Sequence, residues 1–207
     1  MDSFVEMTGT GTASDAPDVV ALDLGVRCPG QSVAAALNDA ATKLAALVDA
    51  AKTGGLADRD VQTTGASVYP QYDRDGTNVV GYVASQSLRL RVRDRARVGD
   101  LISAFSERAG NSLTIDNISL QLSDPSALLT QAREAAFADA EAKARQFALL
   151  AGRELDRVIF VADTPGGPSM ALAGARMEMK DMAMRSMPVE AGESSVSVSV
   201  IVRWAWT

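Results

Sequence analysis

The sequence predicts an α+β fold: two strand-helix-strand-strand units with a linking helix, forming one or more antiparallel-rich sheets covered by helices. Three observations support this prediction. Several segments carry apolar residues at every second position, as strands do, whereas others carry them at the three- and four-residue spacing of a helix. Glycine, proline and aspartate separate these segments. Apolar residues make up 47% of the chain and charged residues 22%, which is ordinary for a globular protein.

The first unit spans residues 16–93 and begins with a strand in which apolar and other residues alternate. Cys28-Pro29-Gly30 ends that strand. The pair Gly54-Gly55 ends the helix that follows, because glycine tolerates the left-handed conformation of a helix end. A polar turn joins the last two strands. The four elements are predicted at residues 16–27, 31–52, 60–72 and 79–93.

A linking helix at residues 95–109 leads to the second unit, residues 111–206. Asp94 is suited to cap the linking helix, and Asp124 followed by Pro125 favours the start of a longer one. The strand, helix and two strands of this unit are predicted at residues 111–122, 125–151, 155–163 and 193–206.

Two details of the second unit are also predicted. Apolar residues of its first strand change phase near Asp116-Asn117, which indicates a β-bulge. Its long helix carries a line of small and apolar side chains, and alanines in that line allow a close approach to a sheet. The line consists of Leu129, Ala132, Ala136, Ala140, Ala144, Phe147 and Ala151.

A single domain over residues 1–207 accounts for these elements. It has possible subdomains at residues 16–93 and 111–206, joined by the helix at 95–109. The two halves share no obvious identity, so the repeat is one of topology. A segment rich in methionine, residues 164–192, lies before the last strand and is predicted to be mobile.

The composition excludes several kinds of site. The chain contains no histidine, which removes the Ser-His-Asp triad, the Cys-His dyad and the usual zinc site. Its single cysteine, Cys28, excludes an intramolecular disulfide. The net charge of −6 repels phosphate backbones, so no nucleic-acid partner is expected. Together these features favour a protein without enzymatic activity.

The cellular location stays open at this stage. The first residues lack the basic and apolar regions of a signal peptide, which for the sequence as given indicates a cytoplasmic protein. Removal of a leader would instead place the protein in the periplasm or envelope, or outside the cell. No apolar run approaches the roughly 18–20 residues that cross a bilayer, so no transmembrane segment is predicted.

Four segments in a fixed order carry a family resemblance. They are Asp58–Thr63 leading to Val68–Tyr72, Gly81–Asp94, the helical stretch Ala132–Gly152, and Met187–Glu193 before the final strand. Over about residues 16–204 this order resembles the SIMPL family of YggE-like proteins. The resemblance implies an α+β fold and, in some relatives, assembly into large ring-like oligomers. It also implies export to the envelope and a link to stress resistance, with no established catalytic residues and no cofactor.

Methionines cluster in one short part of the sequence. One interpretation is Cu(I) binding, because thioethers are soft ligands and Met177, Met179, Met182 and Met184 form two closely spaced pairs. A second is the scavenging of oxidants. A third is an apolar segment that packs at a subunit interface. The residues concerned are Met170, Met177, Met179, Met182, Met184 and Met187.

Arginines recur at every second position near the end of the first unit. Arg89, Arg91 and Arg93 are expected on one face of a strand, and Arg95 and Arg97 extend the series. Such a row can bind an anionic ligand or an acidic patch of a neighbouring subunit. It is equally suited to a solvated face that discourages aggregation.

The sequence therefore predicts a non-enzymatic structural or interaction protein that assembles with itself and is related to stress or to the envelope. Its partners are expected to be further copies of the chain, with another protein as a possible partner. Copper binding or oxidant scavenging by the methionines is the alternative function.

Overall fold

The computed structural model describes residues 3–163, 169–172 and 193–207. Strands and helices confirm the α+β prediction. In chain order they are β1 (Phe4–Asp15), β2 (Val19–Gly30), α1 (Val33–Thr53), β3 (Val61–Tyr72), β4 (Val79–Val92), α2 (Val98–Ala109), β5 (Leu113–Gln121), α3 (Ser126–Leu150), β6 (Leu155–Asp163), β7 (Ser169–Leu172) and β8 (Ser194–Trp206).

The chain divides into two compact units. We call residues 18–121 the central unit. The terminal unit combines both ends of the described chain, and its described parts are residues 3–17, 122–163, 169–172 and 193–207. Each unit holds one antiparallel sheet and the helices that cover it.

The central unit is a sheet in the order β3-β4-β2-β5, covered by α1 and α2. Alternate residues of β2, from Val20 to Cys28, face these helices and are fully buried. Phe105 of α2 is among the largest side chains in this core. The bulge predicted in β5 is confirmed, because Asn117 pairs with Asp23 while Ile115 pairs with Leu24, which leaves Asp116 as the extra residue.

The terminal unit is a sheet in the order β1-β8-β6, with β7 also paired to β8. Helix α3 packs on β1 and β8. Its buried side chains are almost all alanines, which recur at every fourth position from Ala132 to Ala148. The valines of β8 and Trp204 complete this core. Small side chains on the helix bring its backbone close to the sheet.

Two glycines of β1, Gly9 and Gly11, pack against the row of alanines on α3. A Cβ atom at Gly9 would overlap the carbonyl oxygen of Ala136 and lie 2.6 Å from the backbone nitrogen of Ala140. A Cβ atom at Gly11 would likewise overlap the backbone of Ala132 and Ala136. The contact between β1 and α3 is therefore backbone against backbone, and only glycine fits at these two positions.

Four features differ from the sequence-based expectation. Strand β2 continues through Cys28, Pro29 and Gly30, which were expected to end it, and pairs there with β4. Strand β1 was not predicted. Strand β5 pairs with β2 and so lies in the central sheet, whereas the sequence pattern grouped it with the second half of the chain. Phe147 was placed on the buried line of α3 but is 50% exposed, because the buried row continues through Ala148.

Candidate functional site

Strand β6 of the terminal sheet carries a run of exposed apolar side chains. Four consecutive residues, Val158, Ile159, Phe160 and Val161, are between 40% and 52% exposed. We call this run the β6 edge. The register of β6 shifts at Ile159, and Val158 and Val161 lie opposite Trp204 and Val202, whereas Phe160 lies opposite Arg203. Because side chains of directly opposed residues share a face, the β6 edge presents apolar side chains on both faces of the sheet.

The pairing of β8 explains why β6 lies at an edge. One side of β8 is paired along its whole length with β1. The other side is shared between β6, opposite Val200–Trp206, and β7, opposite Ser194–Ser197. Within the described residues, the outer side of β6 therefore has no strand paired to it. Unpaired strand edges are templates for pairing with another chain.

At the opposite edge of the same sheet, side chains of α3 form hydrogen bonds with two backbone groups of β1. The backbone N–H of Thr10 donates to Asp139 Oδ2 at 2.8 Å, and Lys143 Nζ donates to the carbonyl oxygen of Thr8 at 3.1 Å. Lys143 also pairs with Asp139 at 2.7 Å. Hydrogen bonds from Lys143 and from the Thr10 N–H lower the pKa of the Asp139 carboxyl. This pair occupies backbone groups of β1 that a further strand would need.

The guanidinium group of Arg203, in β8, contacts an aromatic ring in each of the neighbouring strands β1 and β6. The Arg203 guanidinium lies 5.3 Å from the centroid of the Phe4 ring and 5.1 Å from that of Phe160. Arg203 also pairs with Glu6. Cation–π contacts at such partly exposed sites contribute about 0.5–1 kcal/mol each. The cluster holds Phe160 in place while leaving part of its ring open to solvent.

A second apolar surface of the terminal unit lies at the end of α3. Leu149 and Leu150 are 79% and 75% exposed. Leu150 and Phe147 line an open cavity of about 520 Å³ together with Trp206. Within the described residues, the buried indole N–H of Trp206 has no acceptor. A buried N–H group without an acceptor is uncommon in proteins. Its position near exposed leucines is unusual for a surface that faces only water.

The predicted arginine row is present on β4, but its members differ. Arg89 pairs with Asp23 at 2.6 Å, and Arg93 pairs with the nearly buried Asp60 at 3.1 Å. Hydrogen bonding to Asp23 raises the pKa of Arg89. The side chain of Arg91 has no ion pair within the described part of the chain. Two of the three candidate residues thus have local partners.

The methionine segment falls largely outside the described residues. Met170 lies in β7, where its backbone is paired opposite Val196. The other candidates, Met177, Met179, Met182, Met184 and Met187, lie outside the described residues. Copper binding and oxidant scavenging at these positions therefore stay predictions.

One polar cluster in the central unit was missed because its members are far apart in sequence. Lys43 Nζ donates to Ser112 Oγ at 2.7 Å and pairs with Asp39 at 3.1 Å. A serine beside a lysine suits nucleophilic chemistry only if the lysine is neutral. Here Lys43 is also in an ion pair with Asp39, so structural contacts account for the cluster.

Cys28 lies near this cluster and is fully buried. Burial raises the pKa of its thiol above the ordinary value, while a hydrogen bond involving Ser112 acts in the opposite direction. The thiolate is the reactive form of cysteine, and here it is disfavoured. Cys28 is therefore a packed core residue.

Two features, a cluster of metal ligands and a membrane-spanning helix, are absent from the described residues. Over residues 3–163, 169–172 and 193–207, no group of three or more His, Cys, Asp or Glu side chains is placed to hold a metal ion. Among the helices in that part of the chain, none is long and apolar enough to cross a membrane.

Comparison with known proteins gives matches that extend over nearly the whole chain. Residues 5–204 match the model of the SIMPL family, described as a protein of unknown function (DUF541). The chain is 34% identical over 215 aligned residues to the 26 kDa periplasmic immunogenic protein of Brucella melitensis, covering 96% of this chain and 82% of that protein. The same values hold for the protein of that name from Brucella abortus.

Similarity to solved structures is much weaker. Crystal structures of AtUAH with (S)-hydroxyglycine and with glyoxylate each give a TM-score of 0.31 at 18% identity. They cover 56% and 62% of this chain, and 31% and 34% of their own. A TM-score of this size does not relate two folds, so the chemistry of AtUAH has no bearing here.

The family model and the Brucella relatives both match nearly the whole chain. The match begins in β1 and ends in β8, so it includes both units. The chain belongs to the SIMPL family.

Proposed function

We propose that this protein is a non-enzymatic structural or interaction protein that assembles with copies of itself through the β6 edge. The observation that carries the proposal is the contrast between the two edges of the terminal sheet. The β1 edge is occupied by Asp139 and Lys143, whereas the β6 edge is apolar and exposed. Natural proteins protect strand edges unless pairing is useful.

The edges of the central sheet are less suited to pairing. Strand β3 contains Pro70, which has no N–H to donate, and its register is irregular at two points. Strand β5 carries the bulge at Asp116, with a charged side chain in it. Prolines, bulges and charges are the usual means by which edge pairing is prevented. Strand β6 also shifts register at two points, before Val158 and at Ile159, but its edge carries four consecutive apolar side chains and neither a proline nor a charge among them.

The contact between copies is expected to be symmetric. Two identical strands that meet edge to edge in an antiparallel sense are related by a two-fold axis, and each contributes the same residues. Strand addition supplies backbone hydrogen bonds. The apolar side chains of Val158–Val161 would then pack beside those of the partner copy on both faces of the sheet. The exposed end of α3, with Leu149 and Leu150, offers a further apolar surface for larger assemblies.

The absence of enzymatic activity is supported by residue chemistry. This chain has no histidine, the usual general base near neutral pH. The lysine beside Ser112, Lys43, is in an ion pair with Asp39, as described above. A role in the envelope is supported by the name of the Brucella relatives, which describes them as periplasmic. A relation to stress rests on the family resemblance alone.

Sedimentation velocity of the full chain tests the proposal. We expect the wild-type protein to form species larger than a monomer at micromolar concentration. Val161→Lys places a charge in the β6 edge and is expected to shift the protein toward the monomer by at least about tenfold in association constant, because an unpaired charge is expensive to bury.

Val80→Lys is the matched control. Both valines lie in strands and are similarly exposed, at 52% for Val161 and 54% for Val80, but Val80 lies in the central unit. The control variant is expected to assemble like the wild type. A strictly monomeric wild-type protein, or equal effects of the two substitutions, would contradict the proposal.

A further inference from the structure

A cluster of arginines without local partners lies where β4 ends. Five arginines occur at alternate positions from Arg89 to Arg97, and Arg89 and Arg93 are neutralised by aspartates. The other three, Arg91, Arg95 and Arg97, make no side-chain ion pair or hydrogen bond within the described residues. The chain carries a net charge of −6, so an overall excess of basic residues does not explain why these three arginines occur together.

Two of these unpaired arginines share a cavity of about 200 Å³ in the central unit. Arg91 and Arg97 line it together with Arg93, and backbone from Gly54 to Leu56 and from Val92 to Asp94 forms the remaining wall. Arg95 does not line this cavity. Three arginines and two aspartates, Asp60 and Asp94, therefore line one small concave surface.

The carboxylates at this cavity are already engaged. Asp60 accepts a hydrogen bond from Arg93 at 3.1 Å, and its side chain is only 9% exposed. Asp94 accepts the backbone N–H of Ala96 at 3.1 Å, which caps the short helical turn that carries Arg95 and Arg97. Neither acid is paired with Arg91 or Arg97 within the described residues. Ion pairing within the described residues therefore leaves the charges of Arg91 and Arg97 unneutralised.

The absence of a side chain at Gly55 leaves room for the guanidinium group of Arg97. Gly55 has a φ of +86°, and a Cβ atom there would lie 2.7 Å from Nη1 of Arg97. The guanidinium group therefore lies directly against the loop that ends α1, where the helix dipole favours a cation. A larger side chain at position 55 would displace it. An adjacent cavity of about 290 Å³ shares Gly54 and Arg97 but is balanced by Asp100 and Glu107.

We infer that the cavity formed by Arg91, Arg93 and Arg97 binds a phosphoryl group or a similar multiply charged oxyanion. Guanidinium groups bind such oxyanions through parallel N–H···O hydrogen bonds, which fix both position and orientation. A multiply charged anion can engage Arg91 and Arg97 together while Asp60 keeps Arg93 in place. The inference concerns the central unit and does not depend on assembly through the β6 edge.

Isothermal titration calorimetry with pyrophosphate at low ionic strength tests the site on the full chain. The wild type is expected to bind, and Arg91→Gln and Arg97→Gln are each expected to weaken binding at least about tenfold. Arg95→Gln is the control, because it removes the same charge from an unpaired arginine outside the cavity. It is expected to change the affinity less than about twofold, since exposed charges farther away are screened.

Arg97→Lys separates geometry from charge. Lysine keeps the positive charge but has no planar fork, so this variant is expected to bind pyrophosphate more weakly than the wild type. Co-sedimentation with phosphatidylglycerol vesicles identifies the source of the group: pelleting that pyrophosphate reverses assigns the site to a lipid headgroup, and no pelleting assigns it to a soluble ligand. The inference is overturned if the wild type shows no binding at millimolar pyrophosphate, or if Arg95→Gln weakens binding as much as Arg97→Gln.

Discussion

Replacing Gly9 by alanine is expected to lower the free energy of unfolding by at least about 3 kcal/mol, although the change adds a single methyl group. The added Cβ atom would overlap the carbonyl oxygen of Ala136 and approach the backbone of Ala140. These atoms belong to the backbone of a long helix, so they cannot move aside as a flexible side chain can. Helix α3 would have to shift away from β1, and the packing of its whole alanine row would suffer.

Urea unfolding followed by circular dichroism measures this effect, with Gly65→Ala as the matched control. Gly65 also lies in a strand, has no atom within 4 Å of a Cβ position, and does not have a positive φ. Its substitution is expected to change stability by less than about 1 kcal/mol. Comparable losses for the two variants would mean that β1 and α3 do not pack backbone against backbone.

Truncating Phe105 to alanine is expected to destabilise the protein by about 3–5 kcal/mol. Phe105 is 1% exposed and lies in the core between α2 and the central sheet. Its removal forfeits the burial of an aromatic ring and leaves a cavity that the surrounding strands can fill only in part. Thermal unfolding and urea unfolding should both report the loss.

Phe147→Ala provides a control with the same chemical change. This side chain lies near the end of α3 and is 50% exposed. Its truncation is expected to alter stability by less than about 1 kcal/mol, because little of the ring leaves a protein environment. If Phe147→Ala were as destabilising as Phe105→Ala, the row of buried residues on α3 would have to run through Phe147.

Periodicity in the sequence predicts most of this fold because burial of a strand or helix leaves a regular pattern. The phase change at Asp116 is a good example, since a single extra residue moves every following side chain to the other face. Strand β1 escaped prediction because its inward positions include Gly9 and Gly11, which give no apolar signal. Its role depends on α3, which is more than a hundred residues away in sequence.

Strand partners were harder to predict than strands. The pairing of β5 with β2 is set by tertiary contacts, and nothing in the alternation of either strand identifies its neighbour. The same limit applies to the candidate interface. An apolar run such as Val158–Val161 is typical of a buried strand, and its edge position becomes evident only from the pairing of β8. The arginine row is evident from the sequence, but the sequence does not distinguish Arg91 from its paired neighbours Arg89 and Arg93.

Disulfide cross-linking between copies tests the central claim, assembly through β6, most directly. An antiparallel two-fold contact brings a central residue opposite its own copy at about 4.5–5.5 Å between Cα atoms, which a disulfide can span. Ile159→Cys and Phe160→Cys are made separately, with Val80→Cys as the exposed control, while the buried Cys28 stays inert. Under mild oxidation we expect rapid formation of a covalent dimer from at least one of the two β6 variants and not from the control. If neither β6 variant cross-links faster than Val80→Cys, the protein does not assemble through this edge.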